Sequence, residues 1–394
     1  MDFLAIVIWG LCGFLAAGLA VAYLGLFGLL LFRFLPLPAL KREKLPGVTV
    51  IKSCYANADN EIENLDTFFH QDYPGPVELL FAVTNETDPI VPVIKQYLAK
   101  YPKADARLVL STTRTAYWNK LNALHDAQDQ AKHEVIIWSD SDVVVRPQYL
   151  SQMVACLQEP GVSLVTTPQY DFRANNLATG FKVPANNCDD ATFMMAYNLV
   201  VRRKKVALGH SMGFWAAEFN SLGAEAWDTL NRFIADDLGL PYLYEKHGKK
   251  VVFRNVYCPV EYANKTWKQV IDQKRRWVMC QKQAVGNRAL YFFSAFFYPE
   301  VPALYLMLLT GFESWTVWAF AAACFTRIGI SALFESLFLG SLRMTLRYGW
   351  LVPVWDLAQI AFVMDGFFRE TITLGGREFR LDKQFFLSPV KARS

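Results

Sequence analysis

Two textures alternate along the chain. Residues 3–32 run without a charge, and stretches 289–312, 315–339 and 350–367 are also dominated by apolar side chains. Between them residues 46–265 are more polar, with short β-rich runs at 48–51, 79–83, 106–110, 135–138 and 163–167. The segments separating these runs are long and polar enough for helices. Strand and helix in alternation predict a mostly parallel sheet, and such sheets bind ligands at the carboxyl ends of their strands.

A helix needs roughly 20 residues to cross a bilayer, so 3–32 predicts a span. A signal peptide would have a shorter apolar region followed by a small-residue cleavage site, whereas Phe34-Leu35-Pro36-Leu37-Pro38 follows here. Arg33, Lys41, Arg42 and Lys44 come after the span, and only Met1 and Asp2 precede it. By the positive-inside rule the N-terminus is then outside and the middle segment cytoplasmic. The tail carries Arg369, Arg377, Arg380, Lys383, Lys391 and Arg393 and is assigned to the same side. An even number of crossings must separate middle from tail, yet three apolar stretches stand there. Segment 289–312 contains Pro299, Glu300 and Pro302, which are poorly tolerated against lipid, so it is expected to be a re-entrant or interfacial hairpin.

The expected organisation is an N-terminal transmembrane helix at 1–35, an α/β domain at 46–265, an amphipathic interfacial segment at 266–288, a membrane region at 289–368 with two to three spans or a re-entrant segment, and a cytoplasmic tail at 369–394. Composition agrees with one domain plus spans: 394 residues are 53% hydrophobic and 15% aromatic. The net charge of +4 is smaller and less clustered than a nucleic-acid binder requires, and suits anionic lipid head groups. Seven cysteines are scattered without a Cys-x-x-Cys pair, which argues against a zinc site or a disulfide scaffold and for a reducing compartment.

The chemistry-bearing motifs follow in order. Asp140-Ser141-Asp142 comes directly after the strand pattern Glu134-Val-Ile-Ile-Trp-Ser. Two carboxylates so spaced can share one hard cation, and Mg²⁺ or Mn²⁺ held in this way bridges nucleotide phosphates. A solvated turn with a helix cap explains the tripeptide equally well taken alone; its place at the end of a strand favours the metal. Asp236-Asp237 precedes an apolar helix and is explained by a cap or by a general base, and on its own residues the cap is the better account. Gln273-x-x-Arg276-Trp277 lies among Lys265, Trp267, Lys268, Lys274, Arg275 and Lys282, a composition that suits an interfacial helix. The same residues suit contact with a diphosphate leaving group, with Trp277 as a wall near the acceptor. Lys120, in Trp118-Asn-Lys-Leu-Asn after a flexible Ser-Thr-Thr segment, is placed where a cation reaches phosphates, although a solvated helix start is nearly as good an account. The five histidines, His70, His125, His133, His210 and His247, are far apart and read as surface or packing residues.

The order of a Lys52-bearing first strand, Asp88-Pro89, Asn119-Lys120-x-Asn122, Asp140, Asp237 and Gln273-x-x-Arg276-Trp277 resembles the ceramide glucosyltransferase family. Leu65-Asp-Thr-Phe-Phe-His-Gln-Asp-Tyr-Pro, Lys100-Tyr-Pro-x-x-Asp-Ala-Arg-Leu and Gly376-Arg-Glu-Phe-Arg-Leu are also similar to its segments, so the resemblance covers nearly the whole chain. It implies a GT-A fold, Rossmann-like with a mostly parallel sheet, and inverting transfer of a hexose from a UDP-sugar to a membrane lipid hydroxyl. By matching position, Asp237 is the catalytic base. Lys52, Asp88, Lys120, Asp140, Gln273, Arg276 and Trp277 bind the donor, and Asp140 with Asp142 hold Mn²⁺ or Mg²⁺. The implied partners are a UDP-sugar, a lipid acceptor such as ceramide and the bilayer, with no nucleic acid. The implied location is a membrane, a bacterial inner membrane by its bacterial relatives, with the catalytic domain cytoplasmic. The chain departs from the family at Lys52-Ser53, where a Lys-Pro is usual, and at Asp236-Asp237, where Glu-Asp is usual. Ala191-Thr-Phe-Met-Met-Ala-Tyr stands where animal members carry a His-Pro. A hopanoid polyol therefore stays open as acceptor, and a processive polysaccharide synthase or a catalytically silent scaffold as further alternatives.

Overall fold

The computed structural model describes residues 2–55, 61–114, 116–201, 206–262, 264–374 and 376–390. Two compact units emerge. One comprises Leu35–Gln169, Val200–Glu261 and Thr371–Ser394, and the other Met1–Phe34, Tyr170–Leu199 and Tyr262–Glu370.

The first unit is built on a seven-stranded sheet in the order Asp105–Leu110, Val77–Val83, Val48–Ser53, Val135–Asp140, Ser211–Trp215, Val162–Thr166, Lys250–Phe253. All five strands expected from the β-rich runs are present. Central strands covered on both faces are apolar at every position rather than at alternate ones, and Val135, Ile136, Ile137 and Trp138 are accordingly all fully buried. The sheet is mostly parallel; Ser211–Trp215 alone runs antiparallel to both its neighbours. Register pairs Ser53 with Asp140, which brings the ends of two adjacent strands level at the carboxyl edge.

The tail is not a separate segment. Thr371–Leu374, Arg377–Leu381 and Leu387–Pro389 form a three-stranded antiparallel sheet within this unit. Phe379 packs tilted against Tyr117 with centroids 4.5 Å apart, Phe386 meets Phe233 at 5.4 Å, and the Arg232 guanidinium lies 4.0 Å over the Phe386 ring. The strands hold short aromatic anchors rather than a long apolar run, so the sequence pattern reads as a tail. Lys391 and Arg393 lie outside the described residues.

The second unit is helical and apolar. Phe3–Phe34, Ser314–Leu339 and Arg343–Phe368 are long and apolar enough to cross a membrane. Arg288–Phe297 and Glu300–Leu309 meet at a 74° bend, as a broken span or re-entrant loop would, with Pro299 at the break. Residues 170–199, expected inside the α/β domain, belong to this unit instead. Their helix Leu177–Asn186 opens with a capping box between Asn176 and Thr179, and Ala178, Ala185 and Cys188 join Ile330, Val352 and Trp355 in one core. One buried charge in this unit is closely paired. Arg327 donates to both oxygens of Asp356 at 2.8 and 3.1 Å, and Asp189 stands 3.6 Å away. Removing either partner of such a pair typically costs about 3–5 kcal/mol.

Phe3–Phe34 packs within this unit through glycines. A Cβ at Gly28 would sit 2.6 Å from the Ala196 Cα, whereas Gly10 and Gly13 have nothing within 4 Å. Gly28→Leu should therefore lower the thermal midpoint of the detergent-purified protein, with an overpacking cost of about 1–3 kcal/mol. Gly10→Leu and Gly13→Leu should leave the midpoint unchanged, and equal effects from all three would show that this helix does not dock through Gly28.

Candidate active site

One cluster of charges in the α/β unit meets at the carboxyl edge of the sheet. Strand Val135–Asp140 delivers Asp140 to its end, and Asp140 Oδ1 accepts from Ser53 Oγ at 3.3 Å. Helix Asn119–Gln128 carries Lys120 in its first turn, and the Lys120 ammonium lies 2.7 Å from Asp140 Oδ1 and 3.0 Å from Asp236 Oδ2. Helix Asp236–Lys246 supplies Asp236 and Asp237 in its first turn, where the unsatisfied backbone N–H groups favour negative charge. Gly209 joins these parts: its carbonyl accepts from Lys120 Nζ at 3.0 Å and its N–H donates to Asp237 Oδ2 at 3.0 Å. A side chain there would crowd all three, since a Cβ would lie 3.3 Å from Asp236 Oδ1, Asp237 Oδ2 and Lys120 Nζ.

The two adjacent acids differ in environment. Asp236 is buried, and its carboxyl is pushed up by burial, with Lys120 opposing and Asp140 reinforcing the rise. Asp237 is half-buried and fixed by the Gly209 amide. For Lys120 burial disfavours the charge, but Asp140 and Asp236 more than reverse this and hold it above the usual lysine range. Lys52 is wholly buried: its ammonium donates to Ser139 Oγ at 3.1 Å and to the Asp140 carbonyl, and lies 3.7 Å over the Phe68 ring. Burial lowers its pKa to about 8. It therefore supports the backbone beneath Asp140.

Asp142, two residues on, has its carbonyl held by the Glu261 N–H at 2.9 Å. Asp88 is buried after strand Val77–Val83, and its Oδ1 accepts the Ile90 N–H at 3.0 Å, just ahead of helix Ile90–Lys100. Thus Asp140, Lys120 and Asp237 converge, Lys52 lies under them, and Asp88 stands at the end of a more distant strand. In the helical unit, Gln273, Arg276 and Trp277 share helix Trp267–Val285, which starts with a Thr266 to Gln269 capping box and stops at left-handed Gly286. Gln273 Nε2 donates to Tyr262 Oη at 2.8 Å, and Arg276 is exposed.

Sequence reasoning missed several supporting residues. The Ser111-Thr112-Thr113 segment, read as flexible, is hydrogen-bonded to Asp126 through the Ser111 hydroxyl, the Thr113 hydroxyl and both threonine N–H groups. Burial opposes ionisation there, yet these donors bring the Asp126 carboxyl down to about 2. Asn122, already in the quoted motif, fixes the approach to Lys120 by accepting the Ala116 N–H at 2.9 Å. Gly209 and Asp126 give no signal in a single sequence, because their roles depend on contacts far along the chain.

Among the described residues no three His, Cys, Asp or Glu side chains are grouped as a metal cage. Asp140 and Asp142 nevertheless offer hard oxygen donors at one strand end, and Mg²⁺ or Mn²⁺ needs only one or two carboxylates when phosphates and water complete its shell. The residues fit a cation that arrives with a diphosphate.

The mostly parallel sheet with acids at its carboxyl edge is the arrangement of a GT-A glycosyltransferase fold. The chain belongs to glycosyl transferase family 21, whose model matches residues 14–385. Among curated relatives, ceramide glucosyltransferase 3 of Caenorhabditis elegans is 32% identical over 127 residues, 32% of this chain and 28% of the relative. The ceramide glucosyltransferase of Komagataella phaffii is 30% identical over 148 residues, 35% of this chain and 28% of the relative. The matched region thus spans about a quarter of the length of such relatives. Similar solved structures include a mannosyltransferase from Pyrobaculum calidifontis in complex with GDP-Man and Mn²⁺, with TM-score 0.49, 18% identity and coverage of 90% of this chain and 97% of that one. Another is glucosyl-3-phosphoglycerate synthase from Mycobacterium tuberculosis with Mn²⁺, UDP and phosphoglyceric acid, with TM-score 0.38, 15% identity and coverage of 62% and 80%.

His210 gives this edge a measurable pH signature. It is buried between Thr167 Oγ1 at 3.1 Å and Cys258 Sγ at 3.3 Å, and its carbonyl accepts the Asp140 N–H. Burial lowers its pKa from 6.5 to about 4. Between these values the unfolded chain binds the proton more readily, so stability is lost as pH falls through the window. The thermal midpoint of the wild type should drop from pH 6.5 to 4 more steeply than that of His210→Gln; parallel curves would show that His210 does not titrate on unfolding.

Proposed function

We propose that this chain transfers a hexose, glucose as the first candidate, from a UDP-sugar to a hydroxyl of a membrane lipid, ceramide as the first candidate, with inversion at the anomeric carbon. The observation that carries the reading is the pairing at the sheet edge of a half-buried acid, Asp237, with the Lys120-bridged Asp140, in a chain of this family. Single-step inversion needs one base and no covalent intermediate. Asp237 suits that role better than Asp236, because Asp236 is buried and committed to Lys120.

In this reading Asp237 takes the proton from the acceptor hydroxyl as the sugar is transferred. Asp88 holds the nucleotide, and Lys120 meets the donor phosphates, leaving Asp140 when it does so. Lys52 acts through the backbone of Asp140. Gln273, Arg276 and Trp277 are assigned to the departing diphosphate and the acceptor wall on the strength of the resemblance. A Mn²⁺ or Mg²⁺ held by Asp140 and Asp142 would supply positive charge to the diphosphate when bound. The apolar helices support a membrane location, and the run of Arg33, Lys41, Arg42 and Lys44 supports a cytoplasmic catalytic unit; the bacterial inner membrane is proposed from the resemblance alone.

Asp237→Asn should lower transfer by about 10²–10⁴-fold, the usual contribution of a general base, while UDP affinity measured by calorimetry stays nearly unchanged. Retained turnover would make Asp237 a helix cap only. Purified protein should also be incubated with Mn²⁺ or Mg²⁺, a panel of UDP-sugars, and ceramides, hopanoid polyols and diacylglycerol, with products read by mass spectrometry. The expected product is a single-hexose ceramide. Transfer only to a hopanoid would move the acceptor assignment, long polymer would favour a polysaccharide synthase, and donor binding without turnover on any acceptor would favour a scaffold.

A further inference from the structure

We propose that Lys182 is a positioning residue that clamps Gln273 and Trp277 of the Gln273-x-x-Arg276-Trp277 signature into one arrangement. The inference rests on the glycosyltransferase reading above for its consequence in catalysis, but its geometry stands within the helical unit alone.

Lys182 lies on helix Leu177–Asn186 and has no exposed surface. Its ammonium lies 3.5 Å over the Tyr262 ring and 3.9 Å over the Trp277 ring, donates to Gln273 Oε1 at 3.1 Å, and stands 3.9 Å from Asp171 Oδ2. Two aromatic faces, an amide oxygen and a carboxylate thus replace the water that a buried ammonium loses. Asp171 is itself held by the Asn186 side chain at 2.6 Å and by two hydrogen bonds between its backbone and the Asn187 side chain, at 2.9 and 2.7 Å.

The consequence for the signature is specific. An ammonium has only donors, so it fixes the oxygen of the Gln273 amide toward Lys182 and turns the nitrogen toward Tyr262 Oη, 2.8 Å away. Trp277 is one helical turn further and faces the same way, with its ring 3.9 Å from the ammonium. A methionine would fill similar volume without the cost of burying charge, so the charge is what this site uses.

The test is Lys182→Met in the full-length, detergent-purified protein labelled with 5-fluorotryptophan. The Trp277 ¹⁹F resonance, identified by its loss in Trp277→Phe, should shift or broaden in Lys182→Met; an unchanged resonance overturns the clamp. In the transfer assay Lys182→Met should lower kcat at least about tenfold with a smaller effect on acceptor KM, as for an interaction felt in the transition state. The same substitution introduced into Gln273→Ala should cost much less, because groups that act together are non-additive. Full additivity, or a shifted resonance with unchanged kcat, overturns the positioning role. If the wild type transfers no sugar at all, the functional reading fails while the resonance still decides the clamp. Should Lys182→Met not fold, Tyr262→Phe removes one oxygen and keeps the ring, and is expected to lower kcat about threefold; no change would overturn the proposal.

Discussion

The ammonium of Lys120 is the constraint on which the candidate site depends. Asp140 and Asp236 both approach it within 3.0 Å, and without a cation between them two carboxylates so placed could not both remain ionised. Its attraction is strong because the surroundings are partly dry, where unit charges interact several times more strongly than in water. Lys120 also binds the Gly209 carbonyl, so the same atom that balances the charge sets the backbone whose N–H orients Asp237. In the proposed reading, an incoming donor phosphate would draw Lys120 away and so release Asp140.

Buried cations recur as organising centres in both units. Lys52 holds the backbone under Asp140, Lys182 gathers two rings, an amide and a carboxylate, and Arg327 bridges Asp356 and Asp189 among apolar helices. Each would be expensive unpaired and becomes tolerable because several groups from distant parts of the chain converge on it. Such centres favour one arrangement of their neighbours, since any other leaves a charge in an apolar environment.

The legibility of the chain follows from the range of the forces involved. The five apolar runs became strands because complete burial of a central strand leaves its mark on every residue. The spans were legible because a bilayer demands length and hydrophobicity locally, and the break at Pro299 because prolines and a glutamate close together are poorly tolerated in a span facing lipid. The order of Asp140, Asp237 and Gln273-x-x-Arg276-Trp277 carried the family. Strands Ser211–Trp215 and Lys250–Phe253 went unread: the first includes Gly213 and two aromatics, and the second is four residues long.

What the sequence alone determined is therefore the class of fold, the apolar helices, the family and the residue types available for chemistry, all of which rest on local pattern or on motif order. Tertiary structure decided how those residues are used. It made Lys52 a buried support, divided Asp236 from Asp237 by burial, placed residues 170–199 with the apolar helices and the tail with the sheet, and put Lys182 beside Gln273 and Trp277. The physical reason is that burial and pairing of charge depend on groups that meet only after the chain has folded, and a single sequence carries no record of which ones meet.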